Sequence, residues 1–384
     1  MRSNLIQYGC MALLVFFLVF VLRDRTGLSR TVKDSAQPNL TANPETVVAL
    51  VGVVANEGAL VPLPIPPIPF YIPPIGRDRT MQVYIMTKNE WPLIKSTVLY
   101  HGTVFGFGNL YVIDASTDPV VLSFLDTANK QLGVNVIYSK SDLNTVNTEI
   151  NMLINREKRY ADFLIKVDTD EIIVHYDKTT NKISTDPTII RDYLKQLPYD
   201  GARLKIGYQC FATVFPNCSD SDNTFITSRH TSPMGPTTFK TFFASVSFGE
   251  IDLGGHIGEV YAPFNNSVLH YTDLSIVHYH YQCFDRIMRV TERAVLSHQY
   301  ILPTDTLQQK IDKLHNLTWD FPTNCRQASC HKAYDYWLYL TDPIGKKNAY
   351  YASKETLEDP HLTQLHTEVS DKMIELENKY AWVV

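Results

Sequence analysis

Residues 163–176 read FLIKVDTDEIIVHY, an apolar run that breaks at Asp168-Thr169-Asp170-Glu171 and is followed at once by a second apolar run. The first run predicts a buried strand, and the break delivers several carboxylates to its end. Hard oxygen ligands in that arrangement suit a divalent cation such as Mn²⁺ or Mg²⁺. An Asp-x-Asp triplet is also common in solvated turns, so its surroundings decide between the two readings.

Upstream, MQVYIMTKNE from Met81 is a short β-run broken at Lys88-Asn89-Glu90, and Pro92 to Phe105 predicts a helix that opens near the proline. LYVIDAS (110–116) reads as a second buried strand ending in Asp114, 119–132 as a helix, and VNVIYS (134–139) as a third strand. Residues 145–160 are helical again, with Ile150, Leu153, Ile154 and Glu157 near one face, and they lead into the strand ending at Asp168. Strands alternating with helices at this spacing imply crossover units, hence an α/β fold whose twisted, mostly parallel sheet is flanked by helices. Ligands of such sheets bind beyond the carboxyl ends of the strands, where Lys88–Glu90, Asp114 and Asp168–Glu171 all fall.

The 384 residues, 45% of them hydrophobic and 20% charged, suffice for one large core or two modest ones. Lys and Arg number 35 against 40 Asp and Glu, a net charge of −5, and no basic block is present to track a phosphate backbone. A nucleic-acid partner is therefore not expected.

Leu5 to Leu22 is nearly continuous apolar sequence with Arg2 before it and Arg23 and Arg25 after it. It predicts a transmembrane anchor near the lower length limit. The competing reading is a cleaved signal peptide, against which stands the lack of small-x-small residues where the run ends. Residues 1–4 would be a cytoplasmic tail and 5–22 the anchor. The proline-dense stretch Val61–Ile75 predicts a semi-rigid extended stem within 23–80. Four Asn-x-Ser/Thr sequons, at Asn39, Asn217, Asn265 and Asn316, fit a glycosylated secretory-pathway face. Beyond the anchor the cysteines are Cys210, Cys218, Cys283, Cys325 and Cys330, for which Cys210–Cys218 and Cys325–Cys330 are the simplest disulfides, leaving Cys283 odd.

The strand ending in Asn89-Glu90, the Ile-Asp-x-Ser-x-Asp at 113–118 and the Asp-x-Asp-Glu at 168–171 together resemble the nucleotide-sugar half of a GT-A fold glycosyltransferase. The likeness is to the family-2-like group that includes glycosyltransferase family 92, and it covers about Met81 to Tyr300. Lys240, Gly254-Gly255-His256 and the run LSIVHYHYQCFDRIMRVTER from residue 274 extend it. Gln282-Cys283 departs from the Arg-Ser type of pair that the resemblance implies there. Alternation along a strand puts His278 and His280 on one face, so either histidine remains open as the metal-facing one.

The resemblance implies a GT-A catalytic domain over 81–300 with a helical extension, 301–384, packed on it. It also implies a type II protein of the Golgi or endoplasmic reticulum membrane with a luminal catalytic domain. The expected activity is metal-dependent, inverting transfer of a hexosyl group from a nucleotide sugar, of the UDP type, to a glycan or glycoprotein hydroxyl. Mn²⁺ or Mg²⁺ would be held by Asp170 and Asp168, with His278 as a third ligand; Asp168 has the alternative of meeting the donor ribose. Lys88, Asn89, Glu90, Asp114 and Arg289 would contact the donor, with Arg293 one helical turn from Arg289. Glu171 would order the site or face the acceptor. The acceptor base would come from Glu250, Asp252 or Glu259, with Asp252 preferred. Tyr334, Trp337 and Tyr339 predict either core or a sugar-stacking surface, and 362–380 an amphipathic helix packed on the body or on a partner. Two other classes stay open: a non-catalytic carbohydrate-binding protein on the same fold, and a metal-dependent hydrolase, which would normally show a second metal cluster.

Overall fold

The computed structural model describes residues 77–383, apart from the short stretches 142–144, 200–202, 214–217, 219–222, 228–229, 232–233, 238–239, 262–263, 265–268, 281, 319–329 and 354–359. The expected tail, anchor and nearly all of the stem lie outside the described residues. Among the described residues no helix is long and apolar enough to cross a membrane.

Thirteen strands are described: β1 Met81–Thr87, β2 Leu110–Asp114, β3 Asn135–Tyr138, β4 Phe163–Asp168, β5 Glu171–Asp177, β6 Lys182–Ser184, β7 Arg203–Thr213, β8 His230–Thr231, β9 Gly235–Pro236, β10 Thr241–Ala244, β11 Phe248–Ile251, β12 Gly258–Val260 and β13 Leu269–His278. The helices are α1 Leu93–Phe105, α2 Pro119–Thr127, α3 Val146–Glu157, α4 Pro187–Gln196, α5 Thr224–Thr227, α6 Phe284–Ser297, α7 Leu307–Thr318, α8 Cys330–Thr341, α9 Pro343–Ala352 and α10 Pro360–Lys379. The main sheet runs β3-β2-β1-β4-β10-β7-β13-β5-β6. Its β3-β2-β1-β4 half is parallel throughout. Beyond it β10 is antiparallel to both neighbours, and β13 is parallel to β7 but antiparallel to β5. The α/β sheet flanked by helices expected from the strand–helix alternation is thus present.

The parallel half follows from sequence. Every residue of β2 is buried, and so is β1 but for half-buried Met86, as strands covered by helices on both faces must be. Val83 and Ile85 enter one core with Val98 of α1, Phe124 of α2, Leu194 of α4 and Met373 of α10. Tyr84, on the opposite face, joins Ile113, Phe248 and the Ile150 and Ile154 side of α3. Asp118 caps α2 by accepting from Val120 N at 2.9 Å, with Pro119 at the first helical position, where its missing N–H costs nothing. Gly207 is required for a different reason: a Cβ there would lie 1.9 Å from Thr272 O, where the β7–β13 register shifts.

The C-terminal amphipathic helix packs on the body. Val369, Met373 and Leu376 are fully buried in the main core, a gross gain of roughly 1.5–3 kcal/mol each, and Glu368 accepts from Thr185 N at 3.1 Å. Val295, Leu314, Ala333 and Tyr336 form a separate small cluster. Trp337 and Tyr339 pack against that cluster, and Tyr334 stacks on Trp337, which gives these aromatics a structural role.

The cysteine expectation needs correction. Cys283 is bridged to Cys218, and Cys210 is a buried thiol. Cys210 lies in the interior of β7, fully buried against core residues, whereas Cys218 comes after the strand and reaches the start of α6. Proximity in sequence was the wrong criterion, because the fold brings residue 283 closer than residue 210. Cys330 is disulfide-bonded, while Cys325 lies outside the described residues. Of the four sequons only Asn316 is described; it is exposed on α7.

Candidate active site

The parallel register sets Thr87 beside Asp114 and Met86 beside Asp168, so two carboxylates flank the carboxyl end of β1. One Asp114 oxygen accepts from Ser116 N at 3.0 Å. The other is buried with no hydrogen-bond partner among the described residues, a costly state that a ligand donor would relieve. Asn89 is committed otherwise. It takes a left-handed backbone (φ 55°), and its Oδ1 accepts from Thr117 N and Asp118 N at 2.7 and 2.9 Å, stitching the end of β1 to the β2–α2 loop. Asn is among the few residues that tolerate that conformation.

Lys88 and Glu90 line a cavity of about 500 Å³ together with Met86, Ile113, Arg293 and Lys332. A second cavity of about 210 Å³ shares Glu90 and Arg293 and adds Trp91, Gln282, Arg286 and Arg289. Arg293 donates to Lys88 O. Burial lowers the pKa of both Arg293 and Lys332, with the Glu90 charge opposing the fall at Arg293. Burial pushes Glu90 up to about 7, with the Asp170 and Asp168 charges adding to the rise and Thr169 and Arg293 opposing it. Glu90 therefore connects the cavities to the Asp168–Glu171 turn.

At that turn the acidic residues part company. The Asp168 oxygens meet Lys166 Nζ at 3.0 Å and Lys240 Nζ at 2.9 Å, and both lysines are fully buried. Burial alone would raise the Asp168 carboxyl, but the two ammonium charges hold it well below the usual range. Lys240 also meets Glu171 Oε2 at 2.9 Å and Gly254 O at 2.6 Å. Glu171 is fully buried; Oε2 accepts from Asp168 N at 2.8 Å, and Oε1 has no partner among the described residues. Burial pushes its pKa up against the pull of Lys240. A side chain sealed from solvent and bonded to its own turn is not placed to face the acceptor, one of the two roles expected for Glu171.

Asp170 lies among imidazoles instead. Its Oδ1 is 3.5 Å from His278 Nε2, and Asp170, His278 and His280 each offer a ligand atom within 4.8 Å of the others. Period-2 alternation accounts for both histidines arriving together. The Gln209 amide meets His278 Nδ1 at 3.2 Å, which turns Nε2 toward Asp170. Gln282 donates to Asp170 Oδ2 at 3.4 Å. The segment carrying Gln282 is held by Tyr350, which donates to Gln282 O at 2.6 Å, by Phe284 N donating to Tyr351 Oη at 3.1 Å, and by the Cys218–Cys283 bridge. Burial would lower the His278 pKa, but Asp170 raises it above the ordinary value. A carboxylate with two imidazoles is a sound donor set for a divalent transition metal.

Asp252 heads the loop between β11 and β12, and its Oδ1 accepts from Ile257 N at 2.8 Å. Gly254 O binds Lys240, and Gly255 O accepts from Thr241 N at 2.8 Å, tying the loop down beside the lysine pair. Gly255 (φ +72°) would place a Cβ 3.1 Å from Lys166 O, so this glycine serves a close approach to the lysine pair, whereas a Cβ on Gly254 would meet the His256 ring. Glu250 and Glu259 are exposed partners across the hairpin. Lys166 and Gln282 were not predicted as site residues; a lone lysine inside the apolar run FLIKVD was the available signal for the first.

No family model matches the chain, and neither does any curated protein. The fold aligns with solved structures at low overlap. Staphylococcus aureus TarS 1–349 in complex with UDP-GlcNAc aligns at TM-score 0.30 and 11% identity, covering 79% of this chain and 92% of that one. The mannosyltransferase PcManGT from Pyrobaculum calidifontis, in complex with GDP-Man and Mn²⁺, aligns at 0.29 and 12%, covering 81% and 90%. For mannose-1-phosphate geranyltransferase from Thermus thermophilus the values are 0.23 and 12%, and the match spans 36% of this chain and 43% of that one. The function of the site therefore rests on its own geometry.

Proposed function

We propose that the chain is a metal-dependent glycosyltransferase of the GT-A type, family-2-like and related to family 92, which moves a sugar from a nucleotide-sugar donor to a glycan or glycoprotein hydroxyl. One observation carries the reading. A carboxylate–imidazole cluster at the carboxyl edge of parallel strands adjoins, through Glu90, a cavity of about 500 Å³ holding Lys88, Arg293 and Lys332. Cations in a partly apolar cavity suit a nucleoside diphosphate, and the unpartnered Asp114 oxygen suits a base or ribose donor. A divalent cation held at Asp170 and the histidines would supply Lewis-acid stabilisation of the departing diphosphate. Arg293 and Lys332 would neutralise the same group, and Gln282 and Gln209 would hold Asp170 and His278 in place. Asp252, on the loop that Lys240 ties to Asp168, is the proposed base for an inverting transfer. One carboxylate–imidazole cluster among the described residues favours this reading over a two-metal hydrolase. Residues 5–22 are proposed to anchor the protein as a type II protein of the Golgi or endoplasmic reticulum membrane, which N-terminal sequencing and endoglycosidase treatment test: a product beginning after Leu22 would refute it.

The function is tested by assaying the purified chain against a panel of nucleotide sugars with Mn²⁺. Asp170→Asn should cut transfer by roughly 100-fold or more while melting near the wild type, and Asp114→Asn should mainly weaken donor binding. Normal transfer by folded Asp170→Asn would reject the reading. Metal-dependent donor binding without transfer to any acceptor would favour a binding protein.

A further inference from the structure

We infer that the base proposed at Asp252 is a pair, Asp252 with His256, in which the imidazole takes the acceptor proton and the carboxylate holds the ring; this rests on the assignment of Asp252 to the acceptor made above. Gly254 gives the first sign. Its backbone lies outside the left-handed region, so φ alone would tolerate a side chain there. A Cβ would nevertheless fall on the His256 ring, whose Nε2 lies 2.6 Å from that point, with Asp252 Oδ2 3.4 Å from the same point. The missing side chain makes room for an imidazole folded back toward a carboxylate. The backbone around the ring is fixed. Asp252 N donates to Ile257 O at 2.9 Å and Asp252 Oδ1 accepts from Ile257 N at 2.8 Å, which closes residues 252–257 and leaves Oδ2 on the side of the ring. His256 O accepts from Thr241 Oγ1 at 2.8 Å and from Lys205 Nζ. The side chain itself is only half-buried, as a group that meets an incoming substrate must be. Lys240 reaches Gly254 O at 2.6 Å and Asp168 Oδ2 at 2.9 Å, so the pair borders the acidic turn.

Charge explains why neither member suffices. An imidazole is better matched than a carboxylate to accepting a proton near neutral pH. Lys205 and Lys240 both donate to carbonyls of this loop, so an imidazolium formed beside them needs the Asp252 charge. In the step itself the acceptor oxygen bonds to the anomeric carbon, and the bond from that carbon to the diphosphate breaks. The electron pair of the broken bond leaves with the nucleoside diphosphate. The hydroxyl proton passes to His256 Nδ1 while the Nε2 edge stays turned to Asp252.

Release of free sugar from the nucleotide sugars of the Mn²⁺ panel, with water as acceptor, tests the pair without an identified glycan. In the full chain, His256→Ala and Asp252→Asn should each cut kcat by about 100-fold, and the double variant should be no slower than the slower single one. UDP binding, read by calorimetry, should stay within about twofold of wild type in all three. Free imidazole should restore His256→Ala by about tenfold and leave Asp252→Asn unchanged. Gly254→Ala, which requires only the ring to move, should melt near the wild type and lose as much as His256→Ala. A folded His256→Ala that works at the wild-type rate, or losses that multiply in the double variant, overturns the pair. Nitrogen-15 resonance of the histidine rings reads the pair apart from turnover: Asp252→Asn should change the tautomer signals of the one ring that His256→Ala removes. Ring signals indifferent to Asp252→Asn overturn the inference even if transfer is intact. A coupled ring with no transfer to any acceptor, water included, upholds the pairing and refutes the transferase reading instead.

Discussion

Replacing Lys240 by methionine should destabilise the fold more than the loss of one ion pair on a protein surface would. Lys240 is fully buried and lies 2.9 Å from both Asp168 and Glu171, with Gly254 O at 2.6 Å. Methionine keeps most of the aliphatic stem, so the apolar packing is little changed. Asp168 retains Lys166 at 3.0 Å, and its share of the loss is small. Glu171 has no other ion-pair partner among the described residues and is sealed from water, so it carries most of the loss. Removing one member of such a pair typically costs about 3–5 kcal/mol, because the remaining charge stays buried.

The loss should depend on pH with a definite sign. Glu171 already has a folded pKa above its unfolded value, and without Lys240 it rises further. A carboxyl group of that kind is least harmful at low pH, where it is neutral, and destabilises as pH rises through its folded pKa. Urea denaturation under non-reducing conditions should therefore show a larger deficit for Lys240→Met at pH 8 than at pH 5.5. Adding Glu171→Gln should return most of the stability at pH 8 by removing the stranded charge. A deficit below about 1 kcal/mol at pH 8, the scale of an exposed pair, would refute this account of the network, and so would a double variant as unstable as the single one.

His101 is buried in α1 between Thr97 O and Ile173 N, and burial lowers its pKa from 6.5 to about 4. Its folded pKa lies below the unfolded one, so its stability contribution is complete above pH 6.5 and is lost as pH falls toward 4, by about 3 kcal/mol in total; His101→Gln should flatten that limb of the unfolding profile. Non-reducing peptide mapping should find Cys218 linked to Cys283 and Cys210 as an unreactive thiol until the protein unfolds; a Cys210–Cys218 peptide would contradict the fold around α6. Arg293→Gln should weaken a nucleoside diphosphate by roughly tenfold or more but leave the free nucleoside little changed, a contrast that calorimetry reads directly; equal losses for both ligands would remove Arg293 from the phosphate side.

The parallel half of the sheet was legible because its signals are local. Buried β1, β2 and β4 are short apolar runs, each followed by polar residues, and helix α3 shows its Ile150–Leu153–Ile154 face at the helical period. The convergence of Asp114 and Asp168 on one rim followed from the rule that such sheets bind ligands beyond the carboxyl ends of their strands, while their places on either side of β1 are set by the strand order. The mixed half was not legible, since β10 reaches β4 and β7 across distant sequence and no local period announces such pairing. The same blindness explains the site errors. Glu171 reads as one more acid of a cluster until Lys240, 69 residues on, is seen to bury with it, and the disulfide of Cys283 depends on where β7 leaves the sheet. His280 was within reach, because alternation puts it on the face of His278, but strand spacing cannot say which of the two meets Asp170.

Charge gives the two parts of the site a common logic. With Glu171 ionised, the lysine pair, Asp168 and Glu171 sum to zero, so they shape the turn and add little net charge beside Asp170. Asp170 with a divalent cation would present about one net positive charge. The larger cavity adds Lys88, Arg293 and Lys332 against Glu90, three positive groups against one carboxyl whose burial keeps it partly neutral near pH 7. The proposed reaction turns a donor diphosphate carrying about two negative charges into a leaving nucleoside diphosphate carrying about three. Fixed positive charge in excess of the donor's own requirement is stabilising mainly as that third charge develops, which is when it lowers the barrier. A site built only to hold a neutral glycan would have no use for cations in excess of the carboxyl beside them. Lys88, Arg293 and Lys332 gathered round one cavity with a single carboxyl, Glu90, therefore support the proposed transfer over simple carbohydrate binding.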